Sequence, residues 1–332
     1  MSSTRWRSGL GSVLIVIAAA LIAFGAVYYR QSIIDTVHAL QYQPTSSMAT
    51  IRDKLDLTAK GKALFDASRP EIENAASFNQ SCEQQKETNN PVLGCYVDQQ
   101  VFVYHVTNTK LAGIEETTAA HELLHAAYDR LNATEKTSLD KDIKAAYEKV
   151  KTPALEKRME YYKKSEPGQE LNELHSILGT EFTNLGSTLE SHYAQYFKDR
   201  KKILVYFTDY NSVFTSASNQ LKTLRTDINT QTKAVNADIE SYNSAAAQLK
   251  KDADAFNQKA ETRGGFATQA QFNAARSDII NRQSKLANMR ESIIAAIHRI
   301  DEKRDTYNKL AKEYNALNKS INSSLAPAPN FK

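Results

Sequence analysis

The chain has two cysteines and one tryptophan in 332 residues, and neither cysteine belongs to a Cys-x-x-Cys pair. A zinc site built from cysteines is therefore excluded. An excess of one charge is also missing, since 42 Lys+Arg against 38 Asp+Glu leave a net charge of only +4. The basic residues are interleaved with acidic ones and form no stripe, and no RNA- or DNA-binding signature occurs, so nucleic acid is not an expected partner. Proline is absent from about residue 206 until Pro327, and Gly264-Gly265 are the sole glycines in that span. Such a stretch has almost nothing to break a helix. With 24% charged and 41% apolar residues, the remaining composition is that of an ordinary folded chain long enough for two domains.

The amino terminus holds "GLGSVLIVIAAALIAFGAVYY", Gly9 to Tyr29, an uncharged run of 21 residues. As a helix it covers about 30 Å, the thickness of a bilayer's hydrocarbon core, and it reads as a transmembrane segment. Arg5 and Arg7 precede it and Tyr28, Tyr29 and Arg30 close it, which puts residues 1–8 in the cytoplasm and the bulk outside, as expected of a single-pass bacterial cell-membrane protein. The alternative is a cleaved signal peptide, for which the run is long and Phe24-Gly25-Ala26 a poor cleavage site. In both cases residues 31–332 are exported, and Cys82 and Cys95 face an oxidising space where they can close a disulfide, against the alternative of two buried thiols.

A helical stub (Gln31 to Gln41) and a second helical stretch ended by Pro70 give a juxtamembrane stalk over residues 30–60. From Asn89 the texture changes. "NNPVLGCYVDQQVFVYHVTN" combines turn residues with β-branched and aromatic ones in partial alternation, the best strand pair of the protein. Helical patterns run on to Val150, restart at Pro153, break at "SEPG" and resume with "QELNELHSILGTEFTNLGSTLESHYAQYFKDR".

Stepping in sevens through Phe207, Phe214, Leu221, Ile228, Val235, Tyr242, Leu249 and Phe256 meets an apolar residue each time. The same holds through Phe272, Ile279, Leu286, Ile293, Ile300, Tyr307, Tyr314 and Ile321. These are coiled-coil seams. Phe256 and Phe272 are each eight residues from Gly264, so an antiparallel hairpin turning at 264–265 pairs Phe256 with Phe272, Leu249 with Ile279, and onward to Phe207 with Ile321. A second seam position carries Arg282 and Lys303, charges that can set register or partner choice. The competing arrangement is one long interrupted helix dimerising with another chain. The tail 323–332 reads as disordered.

Immediately after the strand pair stands "TTAAHELLHAAYDRL", Thr117 to Leu131. Residues four apart on a helix point the same way, so His121 and His125 can offer two imidazoles to one metal while Glu122 reaches a water bound to it. Small and apolar residues around the motif (Ala119, Ala120, Leu123, Leu124, Ala126, Ala127) suit a buried helix, where two histidines and a glutamate are costly without a purpose.

The stretch resembles the active-site helix of the zincin metallopeptidases. The extended HExxHxxGxxH of the metzincins is absent, as residue 131 is Leu, which leaves the gluzincin pattern with a glutamate on a later helix as third ligand. "LNELHSILGTEF", Leu171 to Phe182, resembles the Asn-Glu segment of thermolysin-like enzymes. The resemblance implies Zn2+ held by His121, His125 and Glu173, with Glu181 and His175 as competing third ligands, and Glu122 as general base. It further implies that His192 and Tyr193, in "LESHYAQYF", offer a proton or hydrogen bond to an oxyanion, unless Tyr193, Tyr196 and Phe197 simply pack their helix into the core. His105, on a strand, reads as an ordinary surface histidine. Through the same resemblance the strand around Val101 to Val106 offers an edge to an extended peptide.

The expected fold is thus mainly α with a small β-sheet, an α+β zincin-like domain over 61–205, plus a long antiparallel coiled-coil hairpin over 206–322 and an N-terminal transmembrane helix over 9–29. The expected function is a membrane-anchored, extracytoplasmic zinc metallopeptidase acting on a peptide or protein substrate, with the coiled coil serving a protein partner or self-association. The alternatives are a structural or adhesion protein with an inactive zincin-like domain, and a zinc hydrolase of a non-peptide cell-surface bond.

Overall fold

In the computed structural model, residues 29–82 and 92–321 are described, with the isolated positions 17, 19 and 25. The apolar run 9–29 lies, apart from those positions and Tyr29, outside the described residues, as does the tail 323–332. Among the described residues no helix is long and apolar enough to cross a membrane.

The chain divides into two units, residues 1–213 with 317–325, and residues 214–316 with 326–332. The first is built around a helix, α5 (Ile114–Asp129), that is buried almost all round. Before it come α1 (Arg30–Gln41), α2 (Ser46–Lys54), α3 (Ala59–Ala67), β1 (Glu71–Glu73), α4 (Ala75–Ser81), β2 (Gly94–Val97) and β3 (Gln100–Tyr104). After it come α6 (Ala133–Val150), α7 (Pro153–Ser165), α8 (Glu170–Glu181), α9 (Ser187–Tyr193) and the start of α10 (Lys201–Glu261). The strand order is β1-β3-β2, with β1 parallel and β2 antiparallel to β3. Asp98 and Gln99, at φ 49° and 62°, make the two-residue turn whose left-handed geometry matches the twist of a hairpin.

Part of the stretch read as a stalk joins the core. Met48, Ile51 and Leu55 are at most 3% exposed and sit in one core with Val103, Leu124, Leu178 and Phe197. Here α2 packs on α5, whereas Ile33, Val37 and Leu40 of α1 are exposed. The helical stretch ended by Pro70 is likewise two helices: Asp56 adopts φ 50°, Leu57 bridges to Phe197, and Thr58 caps α3 by accepting from the Gly61 N–H at 3.0 Å. The long pattern after "SEPG" is also split into α8 and α9, where Asn184 and Gly186 take positive φ.

The second unit is a pair of long helices packed together, the rest of α10 and α11 (Gln269–Ser320). Its core holds Leu221, Ile228, Val235, Ile300 and Tyr307, all heptad positions. Phe256 meets Phe272 with ring centroids 5.3 Å apart, and Phe214 meets Tyr314 at 6.4 Å, so contacts run in opposite directions along the two helices. Gly264, at φ 80°, lies in the connection. Arg282 and Lys303 reach across to Asp252 (2.8 Å) and Asp227 (2.5 Å). These pairs are half exposed, where a pair adds little stability, and their effect is on alignment: a slip of one heptad would unpair both.

Candidate metal centre

The motif helix α5 begins at Gly113 (φ 97°). A Cβ there would approach the Tyr206 carbonyl oxygen to 2.9 Å, so glycine serves both the left-handed turn and the close approach of α10. Along α5 the face 117, 118, 121, 122, 125 and 129 opens on a cavity of about 530 Å³. Leu93, Gly94 and Tyr96 of the strand region, Arg158, Tyr162 and Glu166 of α7 and its end, Asn172, Glu173 and Glu181 of α8, and Tyr210 of α10 close the other sides.

Helix α8 packs directly on α5. Gly179 permits this, because a Cβ would come within 2.3 Å of Leu124 Cδ1 and 2.7 Å of Tyr193 Cε1. The far end of α8 is held by the buried Arg200, whose guanidinium donates to the carbonyls of Gly179 (3.0 Å) and Phe182 (2.8 Å) and to Glu190. A cation on the last carbonyls of a helix also meets the favourable end of its dipole.

The packing brings Glu173, in the first turn of α8, onto both motif histidines. His125 Nε2 is 3.3 Å from Glu173 Oε1, and His121 Nε2 is 3.8 Å from Oε2. The donor atoms of His121, Glu122 and His125 lie within 4.8 Å of one another. His125 Nδ1 faces Asn172 Oδ1 at 3.0 Å while Asn172 Nδ2 donates to Gln169 Oε1. An Nδ1–H donated to Asn172 leaves Nε2 as the ring nitrogen turned toward Glu173, the one a metal would take.

This donor set suits a metal ion. Four ligands at about 2.0–2.1 Å in a tetrahedron lie roughly 3.3–3.4 Å from one another, close to the His125–Glu173 spacing. The same atoms form a buried cluster of two imidazoles and two carboxylates. Burial drives the His121 pKa down. In His125 burial acts the same way, but the charges of Glu173 and Glu122 outweigh it and raise the value. Burial pushes Glu173 upward, and the two histidines reverse it, keeping the side chain ionised.

The competing ligands have other partners. Both carboxylate oxygens of Glu181 accept from Arg158 Nη1, at 2.7 and 2.9 Å. His175 is wholly buried and faces His192, Nε2 to Nε2, at 2.9 Å. The Tyr193 hydroxyl donates to the His175 carbonyl at 2.7 Å with the ring at 0% exposure. Neither His192 nor Tyr193 lines the cavity; they pack α9 behind α8, which agrees with the plainer of their two readings. His105 is an exposed partner of Glu115 at 2.9 Å.

The edge strand beside the site is β2 and not the strand around Val101 to Val106. β3 is the central strand, occupied on both sides by β1 and β2, so its edges are taken. Gly94 in β2 lies against Glu122: an added Cβ would meet Glu122 Oε1 at 2.7 Å and Thr118 Cγ2 at 2.6 Å. Gly94, Arg158, Tyr162 and Tyr210 carry no signal in the sequence, since each is isolated from the motif and falls within a pattern that fits a turn or a helix face. Asn172 could be found, as it adjoins Glu173 in the quoted segment.

The disulfide between Cys82 and Cys95 is formed, with Cα atoms 5.9 Å apart. It joins the end of α4 to β2 within a small cluster with Phe78. Compared with family models, curated proteins and solved structures, the chain finds no match.

Proposed function

We propose that the protein is a zinc metallopeptidase of the gluzincin kind, with Zn2+ held by His121, His125 and Glu173. The observation that carries this is the convergence of Glu173 on the two ring nitrogens of the motif while Asn172 faces His125 Nδ1. Zinc in such a site lowers the pKa of a bound water to about 7 and polarises a carbonyl. Glu122, beside the histidines on the cavity floor, takes the proton of the attacking water on a carboxylate oxygen and returns it to the leaving amine. The substrate is a peptide in extended form, lying along β2, whose outer edge has no strand partner among the described residues and whose Gly94 and Tyr96 line the cavity.

On this reading the chain is anchored by residues 9–29 with its bulk outside the cytoplasm, where the Cys82–Cys95 disulfide is stable. The long helix pair is a coiled-coil hairpin that serves a protein partner or self-association. Metal analysis of residues 31–332, alongside Glu173→Ala and Glu181→Ala, tests the site. One zinc per chain is expected, lost with Glu173→Ala and kept with Glu181→Ala. A parent without zinc, or a Glu173→Ala variant that retains it, overturns the assignment.

A further inference from the structure

The cavity is not uniform in chemistry. Its lining carries the carboxylates Asp98, Glu122, Asp129, Glu166, Glu173 and Glu181. On one part of the wall stand one guanidinium and two phenols, Arg158, Tyr162 and Tyr210. Arg158 is held in place: Glu181 grips it through Nη1 alone, at 2.7 and 2.9 Å, and its guanidinium carbon lies 5.9 Å from the Tyr162 ring centroid. Its side chain is nevertheless 33% exposed, against 14% for Glu181, and both line the cavity, so the cation is the more accessible member of the pair. The geometry differs from a fork-to-fork pair, in which the carboxylate would cover two guanidinium nitrogens.

We propose that this wall recognises a carboxylate of the substrate, so that the enzyme acts on peptides presenting an anionic group near the scissile bond. The inference rests on the metallopeptidase reading of the same cavity. Arg158 supplies the charge, and Tyr210 stands beside it as a neutral hydroxyl donor, burial first and then the charge of Glu181 keeping it protonated. Glu181 has a positioning role. It fixes the guanidinium and moderates its charge, so an incoming carboxylate competes with a partner already there. Removing the charge of Glu181 should therefore strengthen binding of an anion, whereas a purely structural ion pair would show no such response. Arg158 lines the same cavity as His121 and Glu173, so the recognised group shares the cleft with the metal centre.

The test uses the zinc-loaded full chain and a series of ω-mercapto acids of two to six carbons, each set against its neutral amide, with binding read by calorimetry. The thiolate anchors each probe on the metal, and the series spans the unknown distance to Arg158. The acid of best length is expected to bind about tenfold or more tighter than its amide, the range of one hydrogen bond to a charged group. Arg158→Met should abolish that preference, Arg158→Lys should keep part of it, and Glu181→Gln should enlarge it. Equal binding of acid and amide at every length, or a preference that survives Arg158→Met, overturns the proposal while leaving the metal site standing. Zinc content measured on the same samples separates this from failure of the metallopeptidase reading, in which the parent holds no metal. Cleavage mapped on a glutamate-containing peptide and its carboxy-terminal amide then identifies the source of the carboxylate. Cutting confined to the free-acid end assigns the terminal group, cutting beside glutamate in both assigns the side chain, and cutting indifferent to both contradicts the proposal.

Discussion

At the scale of single residues, the cavity separates roles that the motif runs together. Glu122→Gln should retain zinc and lose hydrolysis by two orders of magnitude or more, because it removes a base and no ligand; a metal assay beside a peptidase assay reads both, and undiminished turnover would remove Glu122 from its role. Gly94→Ala is expected to give a similar pattern for a different reason. Its methyl group would displace the Glu122 carboxylate, lowering kcat with metal retained, and a Gly94→Ala enzyme with normal kcat would show that the strand can yield. The buried His175–His192 pair makes a prediction about acid. Burial depresses both pKa values, that of His192 to about 4, below the roughly 6.5 of an unfolded histidine. A depressed value means stability present above about pH 6.5 and lost as pH falls toward 4. Urea melts across that range should show the loss, and His192→Gln should flatten it; the difference between parent and variant isolates the pair from any release of metal. His121, Glu122 and His125 could be read together from the sequence because spacing along a helix fixes direction, whereas Glu173, on another helix, was expected only through the resemblance to the gluzincins. Arg158 and Tyr210 could not, since their positions depend on how α7 and α10 fold back over α5.

At the scale of elements, local signals and long-range ones differ in how far they can be read. The hairpin of β2 and β3, the start of α7 at Pro153 and the α1 segment follow from turn chemistry and patterning, and each stands within a residue or two of its expected place. β1 was not legible. It is three residues long, and it exists because β3 offers a parallel partner, which no local pattern records. The same holds for residues 30–60, whose apolar residues fit a stalk helix and a core helix equally well. Their attachment is specific: Arg130, just after α5, donates to Asp35 of α1 at 2.9 Å and also binds Tyr96 on the cavity rim. Asp35→Ala should therefore weaken substrate binding more than metal binding, seen as a raised KM with zinc content unchanged. The disulfide is a second attachment. Cys82→Ser with Cys95→Ser should cost roughly 3 kcal/mol of stability by the loop-entropy relation, measured as a shift in denaturation midpoint.

For the whole molecule, the division at Val213/Phe214 is later than the boundary suggested by the change in composition near residue 206, because the first turns of α10 belong to the cavity unit through Ile203 and Tyr210. Replacing 214–316 with a short linker should accordingly preserve zinc stoichiometry, while a deletion that also takes Tyr210 should alter the cavity. Loss of zinc on the shorter deletion would show that the two units do not form independently. In the second unit the pairing was legible at Phe256 with Phe272 and Phe214 with Tyr314, because the two seams are spaced alike on either side of one glycine pair, and the ion pairs of Arg282 and Lys303 reinforce that alignment.

Cys95 directly follows Gly94, the residue pressed against Glu122, so the bond to Cys82 fastens the strand that shapes the site. On the proposed reading of an exported metallopeptidase, a newly made chain still in a reducing cytosol would carry that strand unlatched, and reach full cleaving power only once oxidised after export. The cell making the protein would then be guarded by timing, without a separate inhibitor.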